Sequence, residues 1–597
     1  MITALLALVI GREAPRAQAD PGAGGAPTNS GLAERRGFCY NTGMTYQTVP
    51  ASPPPVAAVP SRLPAPAGQS DLHWLGGLCL LVVAATTLPY ALAALAAPPG
   101  QEFAGALNNT GDLAQYLAAI RQGAGGHWLY RDQFTDLAAP QALIYPLYTL
   151  LGQSVGRALS PLATYQAGRA IGCVALVLAL YWFCGLLFTQ RVHRRYACLL
   201  ALTASGLYWL ALAARGPLAA LGVQPADLTA PEYSVGATLL GSPHATVGLA
   251  AQLLLLGCYA RASSSGVAGP VRWRWAALGG MAGLALGASY PFNLLTVFSI
   301  VAVAALAQAV RLGRRGGAWA TPLLIAALIT LPALPLALYY YWLFHAQPIW
   351  RTSGMAVAAT ASPLVYLLAF GPLALLALAT LPSWWPGAVG PPNGWTLVAL
   401  WALMPPLLLA APLWQAGRVT NGWSVALALL AARALLARPA HQARRVALAL
   451  ALSTLLLPLI YIALVLVVHP PAYYLPRELA AAGDWLGRHA LPADVVLASA
   501  RAGNALVAHG DVAVVVGQNY QTFDLAGSQR AVAAFFSPAL PAAERQRLLA
   551  AHRVTYVLAG PWEAMLGRYN PAQAPNLSLA WRQGAWRLYH IAAGGLP

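Results

Sequence analysis

Carboxylates are the side chains of this sequence best suited to acid–base chemistry, and in its apolar middle part they occupy only two segments. No Asp or Glu occurs between Glu232 and Glu478. The acids before that gap, apart from those of the first 72 residues, are Glu102, Asp112, Asp132, Asp136, Asp227 and Glu232. A carboxylate can take the proton from a hydroxyl group as it attacks a substrate. Any reaction of this part that needs a carboxylate must occur where these six residues lie.

The basic residues and cysteines exclude several other chemistries. All 35 residues counted as lysine or arginine are arginine, so the chain forms neither a Walker A phosphate loop nor a lysine Schiff base. Its six cysteines lack the spacing of zinc ligands, and we expect neither a zinc site nor a disulfide framework. The net charge of +18 comes from arginines grouped between apolar runs. We interpret it as setting membrane orientation and expect no nucleic-acid partner.

The composition is that of a multi-pass membrane protein. Of 597 residues, 58% are hydrophobic and 9% are charged, against about 25% charged in soluble domains. Apolar runs of spanning length predict about eleven transmembrane helices at 74–97, 164–188, 196–214, 244–260, 275–290, 293–310, 319–343, 361–381, 395–413, 423–437 and 446–467. Turn residues at 290–293 divide one long apolar block into two short helices.

Arginine placement predicts the orientation of these spans. Three arginines recur in each of four alternate connections, at 191–195, 261–274, 311–315 and 438–445. The positive-inside rule places these connections, and the N-terminus, in the cytoplasm. Residues 1–72, rich in Pro, Gly, Ala and Ser, then form a disordered cytoplasmic tail. The opening apolar run is too short to span, and its charges follow it, so we do not expect a signal peptide.

Two regions lie on the other side of the membrane in this topology. The first outer loop, 98–160, belongs to a transmembrane domain of residues 73–467. Residues 468–597 alternate helical and β-rich patterns and predict an extracytoplasmic α/β domain. Within it, residues 517–522 after an apolar strand form either a binding loop or a plain turn.

The first outer loop contains a predicted short surface helix that follows Thr110-Gly111-Asp112. Asp112 could simply cap that helix. Asp132 and Asp136 would share one face if their segment were helical, and could then be merely solvated. The segment 140–156 is apolar and could lie along the membrane or dip into it.

This loop resembles the first loop of the GT-C glycosyltransferases, among them protein O-mannosyltransferases and lipid A aminoarabinose transferases. The resembling features are an acid after a first span, a tyrosine four residues on, a glycine turn, and a Pro/Tyr segment that ends in Gly before an arginine. The residues that carry them are Asp112, Tyr116, 123–126, Tyr130, Pro140, Tyr145, Tyr148, Gly152 and Arg169. The helical pair that turns at 290–293 matches the family layout. One departure is Ser242, where the family often has an acid before a proline.

The resemblance implies a sugar donor on a polyprenyl phosphate and a catalytic carboxylate, for which Asp112 is the candidate base. It also implies a cation for the leaving phosphate. Arg418 is the first candidate, Arg351 the second and His244 the third. The other candidates for substrate binding are Tyr116, Asp132, Asp136, Glu232, Tyr290 and Asn293. Arg418 could instead contact lipid headgroups, and His244 could be a core residue.

We therefore expect a hexosyl- or pentosyl-type glycosyltransferase of the cell membrane that uses the outer face. Its expected partners are membrane lipid, a polyprenyl-phosphate-linked sugar and a glycan, lipid or protein acceptor, with no cofactor and with divalent metal left open. Alternatives are a transporter or flippase for an anionic lipid-linked substrate, and an outer-face polysaccharide polymerase or ligase. The enzyme hypothesis requires Asp112, Arg418 and His244 to converge on one cavity.

Overall fold

The computed structural model describes residues 69–207, 228, 230–264, 267, 269–354, 361–380, 394–411 and 416–591. Residues 1–68 of the expected tail lie outside the described residues. The second half of the predicted 196–214 span and Asp227 also lie outside them.

The membrane domain begins with two long helices separated by the first loop. Asp71 lies in the first turn of the first helix, not in a tail, and forms ion pairs with Arg191 and Arg195 at 3.1 and 2.8 Å. The elements of this part are α1 (Gln69–Leu95), β1 (Gln101–Phe103), α2 (Leu113–Ala124), α3 (Pro146–Gln153), α4 (Pro161–Leu187) and α5 (Arg191–Thr203).

The rest of the membrane domain is helical throughout its described residues. Its helices are α6 (Val235–Leu240), α7 (Pro243–Ala262), α8 (Gly269–Ser289), α9 (Asn293–Gly313), α10 (Ala320–Thr330), α11 (Leu334–Ala346), α12 (Pro348–Gly354), α13 (Pro363–Leu378), α14 (Gly394–Leu409), α15 (Trp423–Leu436) and α16 (Ala440–Ala463).

Each predicted span overlaps a helix in its described residues, and the span at 319–343 is divided between α10 and α11. In the described residues, seven helical segments are long and apolar enough to cross a membrane. They contain α1, α4, α7, α9, the α10–α11 pair, α15 and α16. The apolar helices α13 and α14 are shorter, with 16 residues each. The block at 275–310 divides where predicted, but into two helices of 21 residues each. The chain is a multi-pass membrane protein.

The first loop folds back on itself through α2 and α3. A Cβ atom at Gly123 in α2 or at Gly152 in α3 would collide with the backbone of the other helix, at Thr149 and Ile120 respectively. The two glycines therefore let the helices approach closely. Ten of the twelve residues of α2 are buried, so the expectation of a surface helix is wrong.

The C-terminal part is an α/β domain, as predicted. The strands and helices from residue 474 onwards are β2 (Tyr474–Pro476), α17 (Arg477–His489), β3 (Val495–Leu497), α18 (Ala500–His509), β4 (Ala513–Val514), α19 (Leu525–Phe536), α20 (Ala542–Ala551), β5 (Val554–Ala559), α21 (Pro561–Ala564), β6 (Leu577–Gln583) and β7 (Trp586–Ile591). Strands β3, β4 and β5 are parallel, and β7 and β6 add to the β5 edge in antiparallel orientation, giving the order β4-β3-β5-β7-β6.

This domain covers the first loop and explains the burial of α2. Strands β1 and β2 pair antiparallel across the two regions. Arg121 of α2 donates to the carbonyl oxygens of Val507 and Gly510, at 2.9 and 2.8 Å, and also to that of Ala508. These carbonyls belong to the C-terminal end of α18, where a helix favours positive charge. At the sheet edge, Gln133 accepts a backbone hydrogen bond from Val514 of β4.

Candidate functional site

A cavity lies where the first loop, the ends of several membrane helices and the C-terminal domain meet. It encloses about 970 Å³ of space between its lining atoms, including its open mouth. Its size is within the range of small-molecule sites. The lining residues are Asp112, Gln115, Tyr116, Ile144, Tyr145, Leu147, Tyr148, His244, Ala288, Ser289, Tyr290, Pro291, Phe292, Tyr340, Phe344, Arg418, Gln518, Tyr520 and Gln521. The structure thus brings together Asp112, Arg418 and His244.

Asp112 is held by two side-chain amides. It ends the 3₁₀ turn Thr110–Asp112 and makes no side-chain cap to α2, so the capping interpretation is wrong. Gln518 Nε2 donates to its Oδ1 at 2.8 Å, and Asn109 Nδ2 donates to its Oδ2. Desolvation raises the pKa of Asp112, while the two amides and the charge of Arg418 act against that rise. The cavity therefore contains a carboxylate whose burial makes it a stronger proton acceptor than an exposed one.

Arg418 is fixed in the cavity wall by Glu232. Its Nη1 lies 3.1 Å from Glu232 Oε1, which also accepts a hydrogen bond of 2.7 Å from the Tyr290 hydroxyl. The guanidinium group lies 4.9 Å from the centre of the Phe292 ring. Glu232 itself does not line the cavity. It stands behind Arg418 and Tyr290, where it fixes the position of the cation.

Aromatic rings form a continuous wall beside Asp112. Tyr116 stacks on Tyr148 with ring centres 4.4 Å apart, and Tyr148 lies parallel to Tyr165 at 6.2 Å. His244 begins α7 beside this wall and stacks on Tyr290 at 5.9 Å. Its Nδ1 is 2.7 Å from the Tyr148 hydroxyl. His244 therefore lines the cavity and is not simply a core residue. One of its two ring nitrogens already forms a hydrogen bond with Tyr148.

Part of the cavity lining is apolar. Ile144 and Leu147, before and in α3, and Tyr340 and Phe344 of α11 belong to it. The segment 140–156, expected to lie along the membrane or dip into it, is tied to α11 because the backbone N–H of Leu143 donates to the Tyr339 hydroxyl at 3.0 Å. Helix α11 presents exposed Leu338, Tyr341 and Trp342 on its outer face. One side of the cavity is thus bounded by a helix that carries a lipid-compatible surface.

Asp132 and Asp136 were expected to bind substrate, and neither lines the cavity. The segment between α2 and α3 is not helical, and its acids stabilise loop geometry and the C-terminal domain. Asp132 Oδ1 accepts from the backbone N–H of Phe134 at 2.9 Å, and burial raises its pKa to about 7. Asp136 Oδ2 lies 2.8 Å from His552 Nδ1 in the C-terminal domain. We assign Asp132 to the geometry of its own loop and Asp136 to the contact with the C-terminal domain.

Arg351 and Asn293 also lie away from the cavity. Arg351, in α12, is exposed and donates to the backbone oxygen of His345 at 2.7 Å, so we withdraw it as the second phosphate candidate. Asn293 begins α9 beneath the cavity and is fully buried. It donates to Gln252 Oε1 at 2.6 Å, which makes it a contact between membrane helices.

Sequence reasoning left residues 517–522 as either a binding loop or a plain strand-to-loop turn and did not connect them with the site of the first loop. In the structure, Gln518, Tyr520 and Gln521 line the same cavity as Asp112. Tyr340 and Phe344 were read only as part of a span. The unusual density of amide and aromatic residues in 517–522 is the signal that could have assigned this loop to the site.

Solved structures of similar architecture were found, although no protein-family profile and no curated protein matches the chain. The archaeal oligosaccharyltransferase AglB from Archaeoglobus fulgidus, in complex with an inhibitory peptide and a dolichol-phosphate, has a TM-score of 0.52 at 12% identity, over 82% of this chain and 70% of that chain. The apo form of the Archaeoglobus fulgidus oligosaccharyltransferase has a TM-score of 0.51 at 12% identity, over 89% and 76%. ArnT from Cupriavidus metallidurans bound to undecaprenyl phosphate scores 0.46 at 12% identity, over 87% and 99%.

The agreement with the two oligosaccharyltransferase structures extends over most of this chain, at an identity that establishes architecture alone. The chain therefore shares the fold of these two membrane oligosaccharyltransferases, in keeping with the architecture that the resemblance of the first loop implied.

Proposed function

We propose that this protein is a glycosyltransferase that transfers a sugar from a polyprenyl-phosphate donor to an acceptor hydroxyl at the outer face of the membrane. The observation that carries the proposal is the presence of one carboxylate, Asp112, and one guanidinium group, Arg418, in the wall of a single cavity. These are the two groups that such a transfer needs on opposite sides of the anomeric carbon.

The chemistry follows from the charges that develop. The acceptor oxygen forms a bond to the anomeric carbon while the bond from that carbon to the phosphate oxygen breaks. Asp112 takes the hydroxyl proton as the new bond forms. The electron pair of the breaking bond stays on the polyprenyl phosphate, and Arg418 stabilises its growing negative charge. Because arginine presents forked donors, it suits a phosphate group better than a point charge would.

The apolar wall supports a lipid donor. Side chains of α3 and α11 line the cavity next to the outer, lipid-compatible face of α11. A polyprenyl chain could therefore remain in the membrane while its phosphate reaches Arg418. AglB, whose fold this chain shares, has been captured with a dolichol-phosphate, which is in keeping with a donor of this class.

We further propose that the protein resides in the cell membrane with its N-terminus in the cytoplasm, and that the C-terminal domain and cavity face outward. The acceptor is then a glycan, lipid or protein outside the cytoplasm. We propose a reaction without a cofactor and leave the participation of a divalent metal open. A chelator added to the assay below tests this point.

The central test is Asp112→Asn in the purified full chain, assayed with a panel of polyprenyl-phosphate sugars. We expect glycosyl transfer to fall by about 10²- to 10⁴-fold, the range for loss of a general base, while donor binding persists. Glu544→Gln is the control, since it makes the same kind of change at an exposed position of the C-terminal domain. Transfer by Asp112→Asn at the wild-type rate would remove Asp112 as the base. Movement of lipid-linked substrate across vesicles without turnover would favour the transporter.

A further inference from the structure

A loop of the C-terminal domain reaches Asp112 with a side chain of fixed orientation. Gln518 Oε1 accepts from the backbone N–H groups of Tyr520 and Gln521, at 2.6 and 2.9 Å. The amide oxygen is therefore committed to the loop, and the amide nitrogen must face away from it. That nitrogen donates to Asp112 Oδ1 at 2.8 Å. The assignment of oxygen and nitrogen thus follows from the hydrogen bonds themselves.

The loop is anchored to the first loop of the membrane domain at further points. Gln521 accepts from the Tyr130 hydroxyl at 3.0 Å and donates to the Tyr145 hydroxyl. Gly517 lies so close to Phe134 that a Cβ atom would come within 2.6 Å of that ring. Gln518 and Gln521 are buried, while the Tyr520 side chain is 49% exposed. The anchoring leaves Gln518 little freedom to move away from Asp112.

The groups around Asp112 show what Gln518 adds. Tyr116 on α2, Tyr145 before α3, Tyr165 on α4 and Arg418 all interact electrostatically with Asp112, and His244 on α7 lines the same cavity. Arg418 is already paired with Glu232. Direct hydrogen bonds to the carboxylate come from Asn109 and Gln518. Gln518 is the one of these two that belongs to the other domain.

We propose that Gln518 is a positioning residue, which holds the Asp112 carboxylate ionised and oriented towards the cavity and so makes the C-terminal domain part of the catalytic unit. The proposal rests on the proposed function, in which Asp112 is the base. A hydrogen bond donated to a carboxylate favours its charged form and restricts its rotation. Without that donor, a desolvated carboxylate holds its proton to higher pH and cannot accept another from the attacking hydroxyl.

Two substitutions separate the donor from the loop structure. Gln518→Met removes the hydrogen-bond donor to Asp112 at every pH. We therefore expect the rate of transfer to fall by about tenfold or more and the acid limb of the pH–rate profile to move to higher pH. Gln518→Glu keeps an oxygen for the loop N–H groups but donates to Asp112 only while protonated. The two carboxyl groups then share one proton. We expect the pH–rate profile of this variant to fall at high pH, where the rate of the wild type stays at a plateau.

The controls are Gln573→Met and Gln573→Glu, at an exposed position of the same domain, which we expect to leave the pH profile unchanged. Thermal unfolding of each variant verifies folding. If the wild type transfers sugar and Gln518→Glu keeps the wild-type plateau at high pH, the proposal is overturned while the proposed function stands.

A second measurement decides the case in which no donor turns over. Carbodiimide labelling of Asp112 against pH, read by peptide mass spectrometry, follows its protonation without any reaction. We expect labelling of Asp112 to persist to higher pH in Gln518→Glu and Gln518→Met than in the wild type. An unchanged labelling profile in both variants overturns the role of Gln518, whatever the activity of the protein.

Discussion

Arg418 is the residue on which the charge balance of the cavity depends. In this structure its charge is compensated by Glu232 at 3.1 Å, whereas Asp112 has amide donors only. An anionic donor must therefore share Arg418 with Glu232 or take its place. The Glu232 hydrogen bond with Tyr290 gives this carboxylate a second partner that remains when Arg418 turns towards phosphate. Glu232 thus acts on the substrate through Arg418.

This balance predicts the outcome of a double substitution. Arg418→Gln should lower kcat/KM for the donor by about 10²- to 10³-fold, the usual effect of losing a preorganised group that stabilises developing charge. It also leaves Glu232 buried without its cation, which destabilises the fold. Adding Glu232→Gln should restore thermal stability but not activity. Steady-state kinetics and thermal unfolding of the single and double variants check this. Recovery of activity in the double variant would show that Arg418 serves only the fold.

The sequence was informative about residues that lie close together along the chain or at the ends of spans. Asp112 and Tyr116, one turn apart on the first loop, and Arg418 at the end of a late span could be predicted to line one site. Gln518 could not, because its partner is 406 positions away. The roles of Asp132 and Asp136 also depend on contacts that no local pattern encodes.

Helix α2 shows how a neighbouring element changes the meaning of a local pattern. Its polar residues suggested a surface helix, and in the structure Gln122 and Arg121 bond to other parts of the protein. Gln122 bonds to Arg131 and Gln133 within its own loop. Arg121 reaches the last carbonyls of α18. A polar stripe that meets the end of another helix is as compatible with burial as an apolar stripe, and the sequence alone does not distinguish solvent from such a partner.

The contact between α2 and α18 predicts that Arg121 joins the two domains. Arg121→Met should destabilise the protein by about 1.5–3 kcal/mol, because hydrogen bonds from a charged donor are lost and three carbonyl oxygens lose their partner. Transfer should fall as well, since Gln518 is carried by the same domain. Thermal unfolding and hydrogen exchange of α18 measure the effect. Arg582→Gln, an exposed arginine on β6, is the control. Unaltered exchange in α18 would contradict the joining role.

At the scale of the whole molecule, the cavity and the C-terminal domain lie at the same end of the helical bundle. Three arginines in each of four alternate connections predicted that this end faces outward. The ion pairs of Asp71 with Arg191 and Arg195 involve one of the predicted cytoplasmic connections. The helical character of the membrane domain and the α/β character of the last domain were predictable, because apolar periodicity encodes both. The number of spans was not, since about eleven were predicted and seven helical segments of the described residues are long and apolar enough to cross a membrane. Their docking was not, because it rests on side chains far apart in sequence.

The predicted orientation can be tested by labelling in intact cells. In a chain whose native cysteines are replaced, Gln573→Cys in the C-terminal domain should react with a membrane-impermeant maleimide. Arg315→Cys, in the connection after α9, should react only after the cells are permeabilised. Both positions are exposed, so a failure to label reports the side of the membrane and not burial. The opposite pattern would move the proposed reaction to the cytoplasmic face.

The pairing of β1 with β2 and the reach of Arg121 to α18 have a consequence for biosynthesis. Arg121 and Val507 are 386 positions apart, so the first loop leaves the ribosome long before the residues that cover it. During that interval α2 has no partner for its arginine and Asp112 lacks one of its two amides. Asp112 therefore gains its full set of amide donors only after the final domain has been made and covers a loop that was among the first segments to be synthesised.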